Sequence, residues 1–214
     1  MINHLFSLVS RMSGIQRFSM LKLCHSENVL EHTGMVCIFC YALTDRLNAN
    51  QQDKDHIDMG EVLRRAVVHD TSETATGDIT RPVKYFSKEL RLAMAELENA
   101  ALDNLQRQLK LPSIVMDYAI AKSGKPGVIV ALADIMSSIH RAWEETIIFN
   151  NHHFVTTVHG MRKVLQNVMS EIKKKQFSEE QFRIFEDIVE ELNIKIDKVS
   201  QHDCDLVELH NNVG

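Results

Sequence analysis

Two histidines and two aspartates in this chain sit where the surrounding pattern calls for apolar side chains. His32 lies three residues after Val29 and four before Val36, the spacing that places side chains on one face of a helix. His69 and Asp70 close a segment in which Val62, Ala66 and His69 share one face and Leu63, Val67 and Asp70 share its neighbour. Asp134 follows the run Val128 to Ala133, which is apolar on every side. A buried carboxylate without a partner is costly, and two together raise each other's pKa. A bound divalent cation removes both difficulties, and imidazole with carboxylate suits Mn, Co, Zn, Fe or Ni. The reading requires that the four side chains meet in space.

The segments that position them read as helices. Residues 2–12 form an amphipathic stretch with Leu5, Leu8, Val9 and Met12 on one side and Gly14 at its end. A long helix is expected over about 27–48 with Ser26 as its N-cap. Asp58 and Glu61 open another that runs to about Asp70. Thr71 to Pro82 reads as a turn or short helix plus loop, and Ser87 caps a periodic helix over about 88–110. Pro112 suits the first turn of a short helix ending near Ala121. Lys122 to Gly127 is the clearest loop in the chain, and the central buried helix follows over about 127–149. A helix over about 153–175 ends in three lysines. Ser178 with Gln181 caps a last helix that reaches about residue 209 with a break, and residues 210–214 are expected to fray.

With 214 residues the expectation is one domain, its helices from about 153 to 209 packed on the rest as an extension. Eight Gly and three Pro over this length favour helices, and the fold class is all-α. A net charge of -5 speaks against a nucleic-acid groove, which needs a basic excess. No apolar run reaches the roughly 20 residues of a membrane span. The start of the chain has neither the basic region nor the apolar run of a signal peptide. Cys37 and Cys40 form a C-x-x-C, which reads as small buried hydrophobes inside an apolar helix, with metal or redox chemistry as the alternative. A cytoplasmic setting is therefore expected. His152 and His153, adjacent and after two asparagines, read as surface residues, and His140 as packing.

The ordered set of motifs resembles the HD superfamily, and within it the bacterial 5'-deoxynucleotidases. The matching pieces are Ser26-Glu27-Asn28-Val29-Leu30-Glu31-His32, His69-Asp70-Thr71-Ser72-Glu73, Gly77-Asp78, Pro82-Val83-Lys84-Tyr85-Phe86 and Ala133-Asp134. Arg17-Phe18 stands where that family has an Arg-Trp pair. The likeness spans about residues 5–145. It implies an HD-type helical bundle around a buried metal site, with His32, His69, Asp70 and Asp134 as ligands of one divalent transition metal, Co, Mn or Zn before Mg. It implies Glu73 as the proton-handling group, with Asp78 assisting or holding the sugar 3'-hydroxyl. Arg17 and Lys84 would contact phosphate, Arg17 as a bidentate fork. Phe18 would pack on the deoxyribose and disfavour a 2'-hydroxyl.

The implied activity is hydrolysis of deoxynucleotides, with water attacking the α-phosphorus and the nucleoside leaving. The chain departs from the family at Phe18, at Ser19 in place of a Pro, and at Arg81, a cation before Pro82-Val83-Lys84 that could serve a longer polyphosphate. Phage dATP triphosphohydrolases are similar over the same motifs, so release of triphosphate is the alternative to release of phosphate. A non-catalytic nucleotide-binding module and a purely helical scaffold are the competing readings. The partner expected is a small deoxynucleotide, with a homodimer or higher homo-oligomer implied by the resemblance.

Overall fold

The structure of the chain, a computed structural model, describes residues 2–49, 51–84, 86–111 and 113–211, with only the backbone described for Asp53, Arg81, Pro82, Thr156 and residues 202–211. Pro112 and the side chain of Arg81 thus lie outside the described residues. The helices are α1 (Ile2–Gly14), α2 (Val29–Asn48), α3 (Met59–Val68), α4 (Glu73–Thr76), α5 (Arg81–Lys84), α6 (Lys88–Leu109), α7 (Ile114–Ala119), α8 (Gly124–Trp143), α9 (Val155–Lys173) and α10 (Glu179–Asn211). The described residues form no sheet. One antiparallel bridge pairs Gln16 with Asn28. It is reinforced by the Arg17 amide donating to the Glu27 carbonyl at 2.8 Å and the Val29 amide to the Ile15 carbonyl at 3.0 Å.

The helix starts follow capping chemistry. The Asn28 side chain accepts from the Glu31 amide at 3.0 Å, and the Glu31 carboxylate accepts from the Asn28 amide at 2.9 Å. This reciprocal box, and not Ser26, begins α2. The correction has a physical cause. The bridge to residues 15–17 holds the chain extended as far as Asn28, so no helix can form earlier. Asp58 caps α3 by accepting from the Glu61 amide, and Ser87 caps α6 by accepting from the Leu90 amide, both as expected. Ser178 and Gln181 exchange the two bonds of a capping box at the start of α10, which then runs without the expected break.

The core is layered around α8. Val128, Ile129, Val130, Leu132 and Ala133 are all buried, and one apolar cluster joins them to Val36, Cys40 and Leu43 of α2, Val62 and Ala66 of α3, and residues of α9 and α10. Fully burying such a side chain stabilises by about 1.5–3 kcal/mol, so shifting α8 would disturb the packing of every helix around it. Cys40 is a core residue, Cys37 packs beside it, and burial raises both thiols above their ordinary values. That is the expected role of small hydrophobes. On α1 the buried face is narrower than expected: Leu8 and Met12 pack on Val29 and Leu109, while Leu5 and Val9 are exposed. Past Trp143, α8 continues as a π turn, Glu144–Ile148. The Glu145 carboxylate is fully buried and accepts from the amides of Cys24 and His25 and from the Asn151 side chain. These bonds fix the loop that leads into α2. No described helix is long and apolar enough to cross a membrane.

Candidate metal centre

Three helices meet at one buried point. His32 projects from α2, His69 and Asp70 from the end of α3, and Asp134 from the middle of α8. The His32 Nε2 lies 3.3 Å from an Asp70 oxygen and 3.3 Å from Asp134 Oδ1, and the His69 Nε2 lies 3.1 Å from the same Asp70 oxygen. The two Nε2 atoms are 3.3 Å apart. Donor atoms of His32, His69 and Asp70 all fall within 4.8 Å of one another, and Asp134 joins this trio through His32. The four side chains singled out in the sequence therefore come together.

The protons follow from the partners. The His69 Nδ1 is 2.6 Å from the Ala66 carbonyl oxygen, which can only accept, so Nδ1 carries a hydrogen and Nε2 is the ring nitrogen that faces the cluster. The His32 Nδ1 faces the Ser137 hydroxyl at 2.9 Å. Burial and the charge of Arg17 press His32 down, but hydrogen bonds to Asp134 and Asp70 outweigh them and its pKa is raised. Burial opposes ionisation of Asp70, yet the neighbouring His69 and His32 hold it well below the usual carboxylate range. Asp134 is likewise held low against its burial, first by Lys122 and then by His32. The Lys122 ammonium and the two imidazoles are thus what allow two carboxylates to coexist here. Two imidazole nitrogens and two carboxylate oxygens are the donor set of a divalent transition ion, and oxygen-seeking Mg²⁺ suits it less. The residues fit the metal that the motifs imply.

Beside this point stand two further acids. Glu73 opens α4, and its Oε2 is buried without a hydrogen-bond partner among the described residues. Burial, then the charges of Asp70 and Asp78, push its carboxyl up to about 9, with Arg17 opposing. At neutral pH it holds a proton. Asp78 follows Gly77, whose φ of 72° is a conformation that glycine adopts readily. Its Oδ2 accepts from the Phe18 amide at 3.0 Å, tying the loop before α2 to the loop after α4.

The expected substrate contacts are arranged less simply. Arg17 is buried and donates through Nη1 to Glu27 at 2.9 Å, with Nη2 3.5 Å from the Ser138 hydroxyl. One arm of its fork is therefore engaged by Glu27, and the other lies near the Ser138 hydroxyl. The Phe18 ring meets Phe154 edge-on at 5.0 Å between centroids. Lys84 is ion-paired with Glu98 of α6 at 2.6 Å, and the Tyr118 hydroxyl donates to the same carboxylate while touching Ser72. His153 is exposed and His152 and His140 are half-buried, and none of them joins the described cluster.

Three residues escaped the sequence reading. Glu27, fully buried, accepts from Arg17 and also from Arg141 Nε at 2.8 Å. Its place inside the motif leading to His32 was the available signal. Ser137 stands one turn after Asp134, the spacing that sets it beside the same ligand. Lys122 donates to Asp134 Oδ2 at 2.9 Å, and nothing in its loop marks that role.

The chain is similar to known proteins over most of its length. Residues 4–185 match the family model described as 5'-deoxynucleotidase YfbR-like. A 5'-deoxynucleotidase of Vibrio vulnificus is 32% identical over 156 residues, which cover 71% of this chain and 79% of that protein. Among solved structures, an HD-domain phosphohydrolase from Listeria innocua superposes with a TM-score of 0.69 at 21% identity, covering 97% of this chain and 98% of that one. The HD phosphohydrolase of cyanophage S-2L, described bound to dA and one catalytic Zn2+ ion, superposes with a TM-score of 0.58 at 15% identity, covering 91% and 95%. These two share the fold. On the family match and the Vibrio relative, the chain belongs to the YfbR-like 5'-deoxynucleotidase family.

Proposed function

We propose that the chain hydrolyses 2'-deoxynucleoside 5'-monophosphates to the deoxynucleoside and inorganic phosphate. The observation that carries the reading is the meeting of two imidazole nitrogens and two carboxylates beside an acid that keeps its proton at neutral pH. His32, His69, Asp70 and Asp134 are its ligands for one divalent transition ion, Co, Mn or Zn. Such an ion, when bound, supplies Lewis acidity to water and to phosphoryl oxygens.

The chain's own groups have separate tasks. Glu73 donates its proton to the nucleoside 5'-oxygen as the P–O5' bond breaks, and regains one from the water that becomes part of the phosphate. Burial, the largest cause that raises its carboxyl, does not depend on the ion and suits the donor role, since an ordinary glutamate would be ionised at pH 7. Asp78, held by the Phe18 amide, offers its second oxygen to the sugar 3'-hydroxyl. The Phe18 ring, braced by Phe154, covers the deoxyribose where a 2'-hydroxyl would stand. Arg17 directs positive charge at the phosphate from a fixed position, because Glu27 holds one of its arms. Lys84 reaches the phosphate by exchanging Glu98 for it.

The test is a product assay over the four deoxynucleoside monophosphates and the four triphosphates, with Co, Mn, Zn and Mg, resolving phosphate from triphosphate. Phosphate release from the monophosphates, dependent on the transition metals and lost with chelator, is expected. Triphosphate release alone would move the activity to the triphosphohydrolase class. No turnover of either would overturn the proposal.

A further inference from the structure

Three described cations rest on carboxylates: Arg17 on Glu27, Lys84 on Glu98 and Lys122 on Asp134. The third pair differs in kind. Glu27 and Glu98 are not among the proposed metal ligands, so a bound ion leaves their pairs intact. Asp134 offers Oδ1 to His32 and the metal point, and its Oδ2 to the Lys122 ammonium at 2.9 Å. One negative charge is shared between two claimants. Negative charge drawn to a divalent ion on one oxygen weakens the hold of the other on the ammonium.

The plain alternative is a surface lysine in a weak ion pair, since its side chain is 48% exposed. Two features of the backbone argue against it. A Cβ on Gly127 would lie 2.3 Å from the Lys122 carbonyl carbon, so the first turn of α8 passes against the Lys122 main chain as only glycine allows. Arg65, buried in α3 one turn before His69, donates to the carbonyls of Ile120 and Ser123 on either side of Lys122. The helix that delivers His69 and the helix that delivers Asp134 therefore both fix the short loop that carries Lys122. A loop so held keeps the Lys122 ammonium within reach of Asp134 Oδ2.

We propose that Lys122 is a substrate-binding cation: it opposes the metal for the charge of Asp134 and, once the metal is bound, turns its own charge to the substrate phosphate. The inference rests on the metal and phosphate reading above. It makes metal and nucleotide binding cooperative, because the metal releases the cation that the phosphate needs.

The experiment uses the full-length chain and its Lys122→Gln and Lys122→Arg variants. Gln keeps a donor for Asp134 Oδ2 without the charge, and Arg keeps both. Co2+ binding is followed by cobalt d–d absorption with no nucleotide present, and KM and kcat for deoxynucleoside monophosphates are measured at saturating Co2+. Lys122→Gln should bind Co2+ about tenfold more tightly, the factor that one pKa unit of charge interaction carries, while KM rises about tenfold and kcat falls less. Lys122→Arg should restore both. If Lys122 only orients the Asp134 carboxylate, Gln leaves Co2+ affinity unchanged or weaker, and that result overturns the proposal. An unchanged KM overturns it equally. A wild-type chain that binds Co2+ but turns over no deoxynucleotide overturns the proposed function instead, and the Co2+ comparison then decides whether Lys122 opposes the metal. A wild-type chain that binds no Co2+ overturns both.

Discussion

Glu73→Gln separates the charge of this side chain from its shape, and the effect on stability has a defined sign. In the folded, metal-free chain, burial and the charges of Asp70 and Asp78 keep the carboxyl protonated up to about 9. In the unfolded chain it releases its proton near the ordinary glutamate value of about 4.3. Below that value both states carry the proton and pH has no effect through this group. Between the two values folding takes up a proton, so stability falls as pH rises. Above the folded value both states have lost it and the loss is complete. One proton corresponds to about 1.4 kcal/mol per pH unit, so wild type loses roughly 3 kcal/mol from this group between about pH 5.5 and 7.5.

Gln is neutral throughout and has no such slope. Urea unfolding in chelator at those two pH values should therefore show the variant gaining on wild type by roughly 3 kcal/mol, the other titrating groups being common to both. A divalent transition ion cancels the charges of Asp70 and Asp134 that raise Glu73, so the gap should shrink when Co2+ is added. Turnover by the variant should fall by at least about 100-fold. Parallel stability profiles in the metal-free proteins would mean that Glu73 is ionised when folded. The assignment of Glu73 as the proton donor would then be wrong.

Further outcomes are expected elsewhere. His69→Ala should lose its metal by elemental analysis and at least about 100-fold in activity, because the imidazole it removes is already oriented by the Ala66 carbonyl; full metal content with full turnover would contradict the ligand set. Glu27→Ala leaves the buried Arg17 and Arg141 without their shared carboxylate and should cost about 3–5 kcal/mol in urea unfolding. Gly127→Ala must move the backbone of Lys122 and should cost about 1–3 kcal/mol, with a raised KM for nucleotide as well.

What could be read in the sequence and what could not divide along a physical line. His32, His69, Asp70 and Asp134 were legible because each breaks an apolar pattern, and a polar group in a buried stripe requires a partner. The central helix was legible because Val128 to Ala133 leaves it no solvent face, and the structure buries five of those six side chains. The start of α2 was misplaced by two residues because Ser26 and Asn28 are both good caps. The choice between them is made by the bridge to Gln16, which depends on contacts ten and more residues away. The same holds for Arg17, whose positive charge is plain in the sequence while its engagement by Glu27 is not.

Lys122 marks the limit of such reading most sharply. A lysine in a Gly- and Pro-containing loop fits any solvated surface, and no periodicity is broken by it. What gives it a role is the passage of Gly127 against its main chain and the reach of Arg65 to the carbonyls on both sides, neither of which leaves a pattern along the chain. Ligands at the centre of a site are legible because burying them is costly. Cations at its rim carry no such cost, so they become legible only from the backbone that is built to hold them.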